Sequence, residues 1–260
     1  MKLAVSNIAW QSEHDTEIYN LMQELGFKGL EIAPTRLFSQ RPYGHLREAK
    51  EFADNMMSKY NLEICSMQSI WFGMSHKIAG SIQERQELLN YTRQALTFAS
   101  VMKCHNIVFG CPRNRCIYKP GDDEIICGFL INIADIAKSL GITIALEANP
   151  KIYNTNFANT TDEAINILLR LNHPALRLNL DTGTILTNGE TLSGINISLV
   201  NHVHISEPGL KAITRHNEHN ELAVMLRRSN YSKFISIETS NANNINELYE
   251  SMYYISKVFN

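Results

Sequence analysis

Short apolar runs alternate with longer stretches of helical periodicity eight times along this chain, and that rhythm narrows the fold more than any other feature. The strand-like segments are Leu3–Ile8, Gly29–Ile32, Glu63–Gln68, Asn106–Gly110, Ile142–Glu147, Leu176–Asp181, Val200–His204 and Phe234–Glu238. Apolar residues recurring near every 3.6 positions predict helices over Thr16–Leu25, Ser81–Met102, Glu124–Leu140, Thr161–Leu171 and Ile245–Val258. In the first of these, Ile18, Leu21, Met22 and Leu25 share a face, and Asp15 stands where an N-cap is expected. Gly26 and Gly141 fall just past their helices, where a left-handed C-cap residue belongs. The sixth helix is poorly marked: only the short stretch Leu192–Val200 is on offer, with Gly194 inside it.

Strict alternation of strand and helix implies a parallel sheet covered by helices. Eight repeats in 260 residues imply closure into a (β/α)8 barrel rather than an open sheet. No linker, low-complexity stretch or charge run interrupts the pattern, so residues 1–260 read as a single domain. No glycine-rich dinucleotide turn follows the first strand, and no Walker A loop is present.

Composition excludes several function classes. With 44% hydrophobic and 19% charged residues, the chain has the make-up of a soluble globular protein with ample core. A net charge of −2 gives no electrostatic reason to expect nucleic acid or an anionic membrane as partner. No run of 18 apolar residues and no signal peptide are evident. Five cysteines without Cys-x-x-Cys spacing suit a reduced, cytoplasmic protein. The oligomeric state is left open, a homo-oligomer included.

The last four strand segments each stop on a metal-capable side chain: Glu147, Asp181, His204 and Glu238, spaced 34, 23 and 34 residues apart. In a closed parallel barrel all four point into one mouth. Each alone is weak, since a strand-end carboxylate also caps helices and an Asp before Thr-Gly also makes turns. Their joint occurrence is the signal. Three carboxylates and one imidazole suit one divalent metal, Mn²⁺, Mg²⁺ or Co²⁺, with Zn²⁺ also admissible though a structural zinc would favour thiolates. Such a centre beside a sugar carbonyl acidifies the neighbouring C–H, and one carboxylate takes the proton while another returns it. Return to the opposite face gives an epimer, and return to the neighbouring carbon gives an aldose–ketose isomer.

Further candidates flank these ends. His202 shares a strand face with His204 one layer deeper. Arg113 and Arg115, in the loop after the fourth strand, are placed to hold a substrate phosphate or carboxylate by paired donors. Asn149 follows Glu147, Gln68 ends the third strand, and Glu31 lies near the end of the second. Trp71 and Phe72 offer an aromatic wall for a sugar ring or simple loop packing.

The segments Gly29-Leu30-Glu31-Ile32, Val108 through Arg115, Leu146 through Pro150, Leu180 through Gly183, His202 through Pro208 and Ile237-Glu238 resemble the xylose isomerase-like TIM-barrel superfamily, in its sugar (phosphate) isomerase/epimerase branch. The similarity spans essentially the whole chain. It implies Glu147, Asp181, His204 and Glu238 as ligands of one divalent metal, with Glu147 and Glu238 also the catalytic acid/base pair. It implies a small-molecule sugar or sugar phosphate as partner, with Glu31, Gln68, Trp71, Arg113, Arg115, Asn149, His202 and Thr184 as substrate contacts. The chain departs from many relatives at Thr184, where they carry His, and from ketose 3-epimerases at Tyr153 and Leu210, where those carry Glu and Arg. These departures count against a free ketose as substrate. Two other readings are an apurinic-site endonuclease-like phosphodiesterase and a non-catalytic sugar-binding barrel. The first needs extra imidazoles, which the third and fourth strand ends, Gln68 and Gly110, do not supply.

Overall fold

In the computed structural model, which describes residues 1–241 and 244–260, the eight strands pair in parallel and in chain order, and the last closes onto the first. They are β1 Lys2–Ser6, β2 Gly29–Ile32, β3 Glu63–Met67, β4 Asn106–Phe109, β5 Thr143–Glu147, β6 Leu176–Asp181, β7 Val200–Ile205 and β8 Phe234–Ile237. The helices are α1 Asp15–Glu24, α2 Pro34–Leu37, α3 Leu46–Tyr60, α4 Ile82–Val101, α5 Asp122–Ser139, α6 Thr161–Leu171, α7 Thr182–Asn188, α8 Asn217–Arg228 and α9 Ile245–Phe259. This is a (β/α)8 TIM barrel, as the alternation requires.

Period-two alternation divides each strand between two environments. Val5, Ile32, Phe109, Leu146, Leu180, Ile205 and Ile237 are buried in one continuous apolar cluster with the helices. Each such side chain contributes about 1.5–3 kcal/mol. The opposite face is unusually polar. Gln68 donates to Ser6 Oγ at 2.8 Å and to Glu31 Oε1 at 3.0 Å, and Asn179 donates to Glu147 at 2.6 Å, so these side chains meet inside the barrel. Barrel interiors are more often filled by branched apolar residues.

Local signals account for the boundaries. Ser81 caps α4 through a reciprocal pair, accepting from the Glu84 amide at 3.1 Å while Glu84 accepts from the Ser81 amide at 2.8 Å. Gly26 (φ 78°) and Gly141 (φ 68°) take the left-handed conformation expected of them. Asp15 is a correction. It lies inside α1, and its carboxylate accepts from Trp10 Nε1 at 2.8 Å and Arg36 at 2.7 Å, so tertiary partners replace the cap. The sixth helix also lies elsewhere than expected: α7 starts immediately after β6, and only a 3-10 turn, Ile197–Leu199, occupies the anticipated stretch. Asp181 itself nucleates α7, accepting from the amides of Gly183 and Thr184.

Candidate active site

The ends of β5, β7 and β8 bring three side chains to one point. His204 Nδ1 lies 3.0 Å from Glu147 Oε1 and 3.1 Å from Glu238 Oε2. His204 is wholly buried, and this nitrogen is aligned for a hydrogen bond with neither carboxylate. Three ligand atoms thus face a common centre without satisfying one another, as donors around a cation do. One imidazole nitrogen and carboxylate oxygens form a donor set that fits a divalent ion such as Mn²⁺, Co²⁺ or Zn²⁺. The register explains the convergence: His204 pairs across β6–β7 with Asp181 and across β7–β8 with Ser236, two residues before Glu238.

Below this point, Glu31 Oε2 lies 3.1 Å from His204 Nε2 and 2.9 Å from His202 Nε2, forming a second group with ligand potential. Burial opposes ionisation of Glu31, but the two imidazoles outweigh it and hold the carboxyl well below its usual range. Burial likewise opposes the charged form of His204, yet Glu238, Glu31 and Glu147 raise its pKa well above 6.5.

Asp181 borders the same cavity as Glu147 and Glu238, but its oxygens are engaged elsewhere. They accept from the amides of Gly183 at 3.2 Å and Thr184 at 2.9 Å, from Thr184 Oγ1 at 2.9 Å and from Ser206 Oγ. Burial and the facing charges of Glu147 and Glu238 push its pKa up to about 7. Glu147 remains lowered: burial raises it, but His204, Asn149 and Arg115 pull it down.

Residues 19–256 match the family described as xylose isomerase-like TIM barrel. The chain belongs to this family. A D-psicose 3-epimerase structure with D-tagatose from Clostridium cellulolyticum superposes with a TM-score of 0.78 at 16% identity, covering 100% of this chain and 99% of the other. The E. coli 3-keto-D-glucoside 4-epimerase YcjR gives 0.75 at 19%, covering 99% of both chains. The IolI protein with a bound zinc atom gives 0.71 at 16%, covering 100% and 99%. At these identities the likeness shows the fold. No curated protein matches.

The xylose isomerase-like barrel sorts the anticipated substrate contacts into two groups. Gln68 and Asn149 line the mouth cavity of about 200 Å³, and Trp71 and Arg113 line an adjoining one of about 680 Å³. The other four line neither mouth cavity. Glu31 and His202 are buried beneath His204 in the polar interior. Thr184 is spent on Asp181 and on the Ala148 carbonyl at 2.9 Å. Arg115 is fully buried and donates to the Glu147 carbonyl and to Asn149 Oδ1, both at 2.7 Å. Its burial brings its pKa down to about 10, leaving it charged as a brace behind the strand-five end. Trp71 is edge-on to Phe109 and donates to Thr92 at 2.9 Å, so packing accounts for most of its ring.

Asn179 and Ser206 were missed in the sequence, although each sits two residues from a candidate ligand and therefore on the same strand face. Tyr153 and Leu210, the two departures from ketose 3-epimerases, both line the mouth cavity. Tyr153 Oη accepts from the Gly209 amide at 3.2 Å, tying the loop after β5 to the loop after β7.

Proposed function

We propose that this protein is a divalent-metal-dependent sugar or sugar-phosphate isomerase or epimerase. The observation that carries the reading is the unaligned approach of Glu147 Oε1 and Glu238 Oε2 to His204 Nδ1. Glu147, His204 and Glu238 would hold the metal, and Asp181 would join them by giving up part of its capping bonds. The bound ion would polarise a substrate carbonyl and offset the negative charge of an enediolate.

The chain's own groups handle the proton. Glu147, poised as a carboxylate, accepts it from the carbon next to the carbonyl, and Glu238 returns one from a strand three places further round the ring. Asn179 and Asn149 each hold one Glu147 oxygen, at 2.6 and 3.1 Å, fixing the direction from which it works. A reduced, cytoplasmic setting belongs to the same proposal, and the five free cysteines support it.

The phosphodiesterase reading fares worse. His216 and His219, the imidazoles it would enlist after β7, turn to Glu207 at 2.8 Å and Tyr254 at 3.2 Å instead.

Solvent-deuterium exchange into a panel of sugars and sugar phosphates after Mn²⁺ loading tests the proposal. Deuterium next to a carbonyl with wild type, and none with Glu238→Gln, is the expected result. No exchange with any substrate despite stoichiometric metal would sink it.

A further inference from the structure

The mouth cavity continues past the carboxylates into a larger chamber, and the two share Ser69, Cys111 and Pro112 as a common wall. Ser69 (φ 54°) and Cys111 (φ 43°) both hold left-handed backbone that L-residues adopt at a cost, and such strain concentrates at functional sites. The chambers differ in sign. Among the described residues, the inner lining carries Glu147, Asp181 and Glu238 and no Lys or Arg, whereas the outer lining carries Lys77 and Arg113 and no Asp or Glu.

The outer chamber is built rather than incidental. Asn114 Nδ2 donates to the carbonyls of Met74 at 3.0 Å and His76 at 2.7 Å, and Lys77 Nζ donates to the Arg113 carbonyl at 2.6 Å. These bonds lock the loop after β3 to the loop after β4. The Arg113 side chain is exposed, and among the described residues its guanidinium has no hydrogen-bond or ion-pair partner. Phe72, 71% exposed, adds a bare aromatic face. A volume of about 200 Å³ for the inner chamber is below the usual range of ligand sites, roughly 300–1,000 Å³, whereas the outer chamber, about 680 Å³, falls within it.

We propose that the outer chamber binds an anionic, ring-bearing portion of the substrate, which makes the substrate class a keto sugar joined to a second ring through or beside a phosphate or carboxylate. The inference rests on the isomerase or epimerase reading for its inner half. Arg113 supplies paired donors to the anion, Lys77 adds charge with the donors left over from its loop contact, and Phe72 stacks on the second ring.

The test is calorimetric binding to the Mn²⁺-loaded protein, with UDP-glucose against glucose and trehalose phosphate against trehalose. At least one anionic probe should bind roughly tenfold or more tightly than its neutral counterpart. Arg113→Glu should abolish that preference, Arg113→Lys should keep part of it, and added salt should weaken it. Equal affinities for charged and neutral probes, no binding by any of them, or a preference that survives Arg113→Glu would overturn the proposal. Binding is read without turnover, so a missing deuterium exchange would count against the isomerase reading alone.

Discussion

Glu31 and His204, from β2 and β7, are joined at 3.1 Å through Nε2, the ring nitrogen opposite the one that faces Glu147 and Glu238. A carboxylate on the far nitrogen fixes the tautomer of a ligating imidazole and makes it a better donor. Glu31 is wholly buried and receives Gln68 at 3.0 Å on its other oxygen, so it cannot turn away.

Glu31→Gln should therefore lower Mn²⁺ affinity about 10- to 100-fold while the barrel still folds. Calorimetric metal titration, with circular dichroism as the control, checks this. Unchanged affinity in a folded variant would mean that Glu31 only fills the interior.

Metal binding should be proton-linked. Without metal, the His204 pKa is raised well above 6.5 and the Asp181 pKa to about 7, so near neutrality each competes for the ion with a proton. Affinity should rise with pH through about 7, and binding below that pH should release protons into buffer. The same two groups hold more protons folded than unfolded, so their contribution to the metal-free protein is complete below their unfolded values and is lost as pH rises through their folded ones. The Asp181 part of metal-free thermal stability should thus decline between about pH 4 and 7, a decline absent in Asp181→Asn, the His204 part should decline above about pH 6.5, and Mn²⁺ should offset both. A pH-independent affinity would contradict the assigned protonation.

The barrel was legible in the sequence because its evidence is repeated eight times and each repeat is local. The end of β6 at Asp181 could be read from Leu176–Asp181 alone. Contacts between distant segments were not legible. Arg115 is on a loop whose composition suggests solvent, and only the packing of β4 against β5 shows that it lies under Glu147. Asp181 reads as a ligand by position, but helix geometry also asks it to cap α7, and one carboxylate serves both demands. The sequence has no marker for such competition, nor for the charge contrast between two chambers made from loops far apart in the chain.

Gly110 sets the space for Glu147. A Cβ added there would lie 2.8 Å from Glu147 Oε2, closer than carbon and oxygen approach, and 3.5 Å from Asn149 Oδ1. Its φ is not among the positive ones, so alanine meets no backbone strain. Gly110→Ala should shift the carboxylate held by Asn179 and Asn149. Deuterium exchange should then fall about 100-fold, since small misplacements of a reacting group cost that much, with stability altered by less than about 1 kcal/mol. An intact exchange rate would show that Glu147 tolerates displacement and is not the proton acceptor.

His219 provides a test of stability away from the metal site. It is buried in α8 with Nε2 unpartnered, its Nδ1 3.2 Å from Tyr254 Oη and its ring 5.4 Å from that of His216. Burial first, then the neighbouring His216, lower its pKa to about 4, against weaker opposite pulls from Glu207 and Glu218. Between about pH 4 and 6.5 the unfolded chain binds the proton more readily than the folded one, so stability falls as pH drops through that window. The full shift corresponds to on the order of 3 kcal/mol. His219→Leu removes the titration and the unpaired nitrogen together. Urea denaturation at about pH 5 and pH 7.5 should show the variant losing less stability on acidification than wild type, with the two proteins similar at the higher pH. Parallel losses would mean that His219 finds a proton-accepting partner when charged.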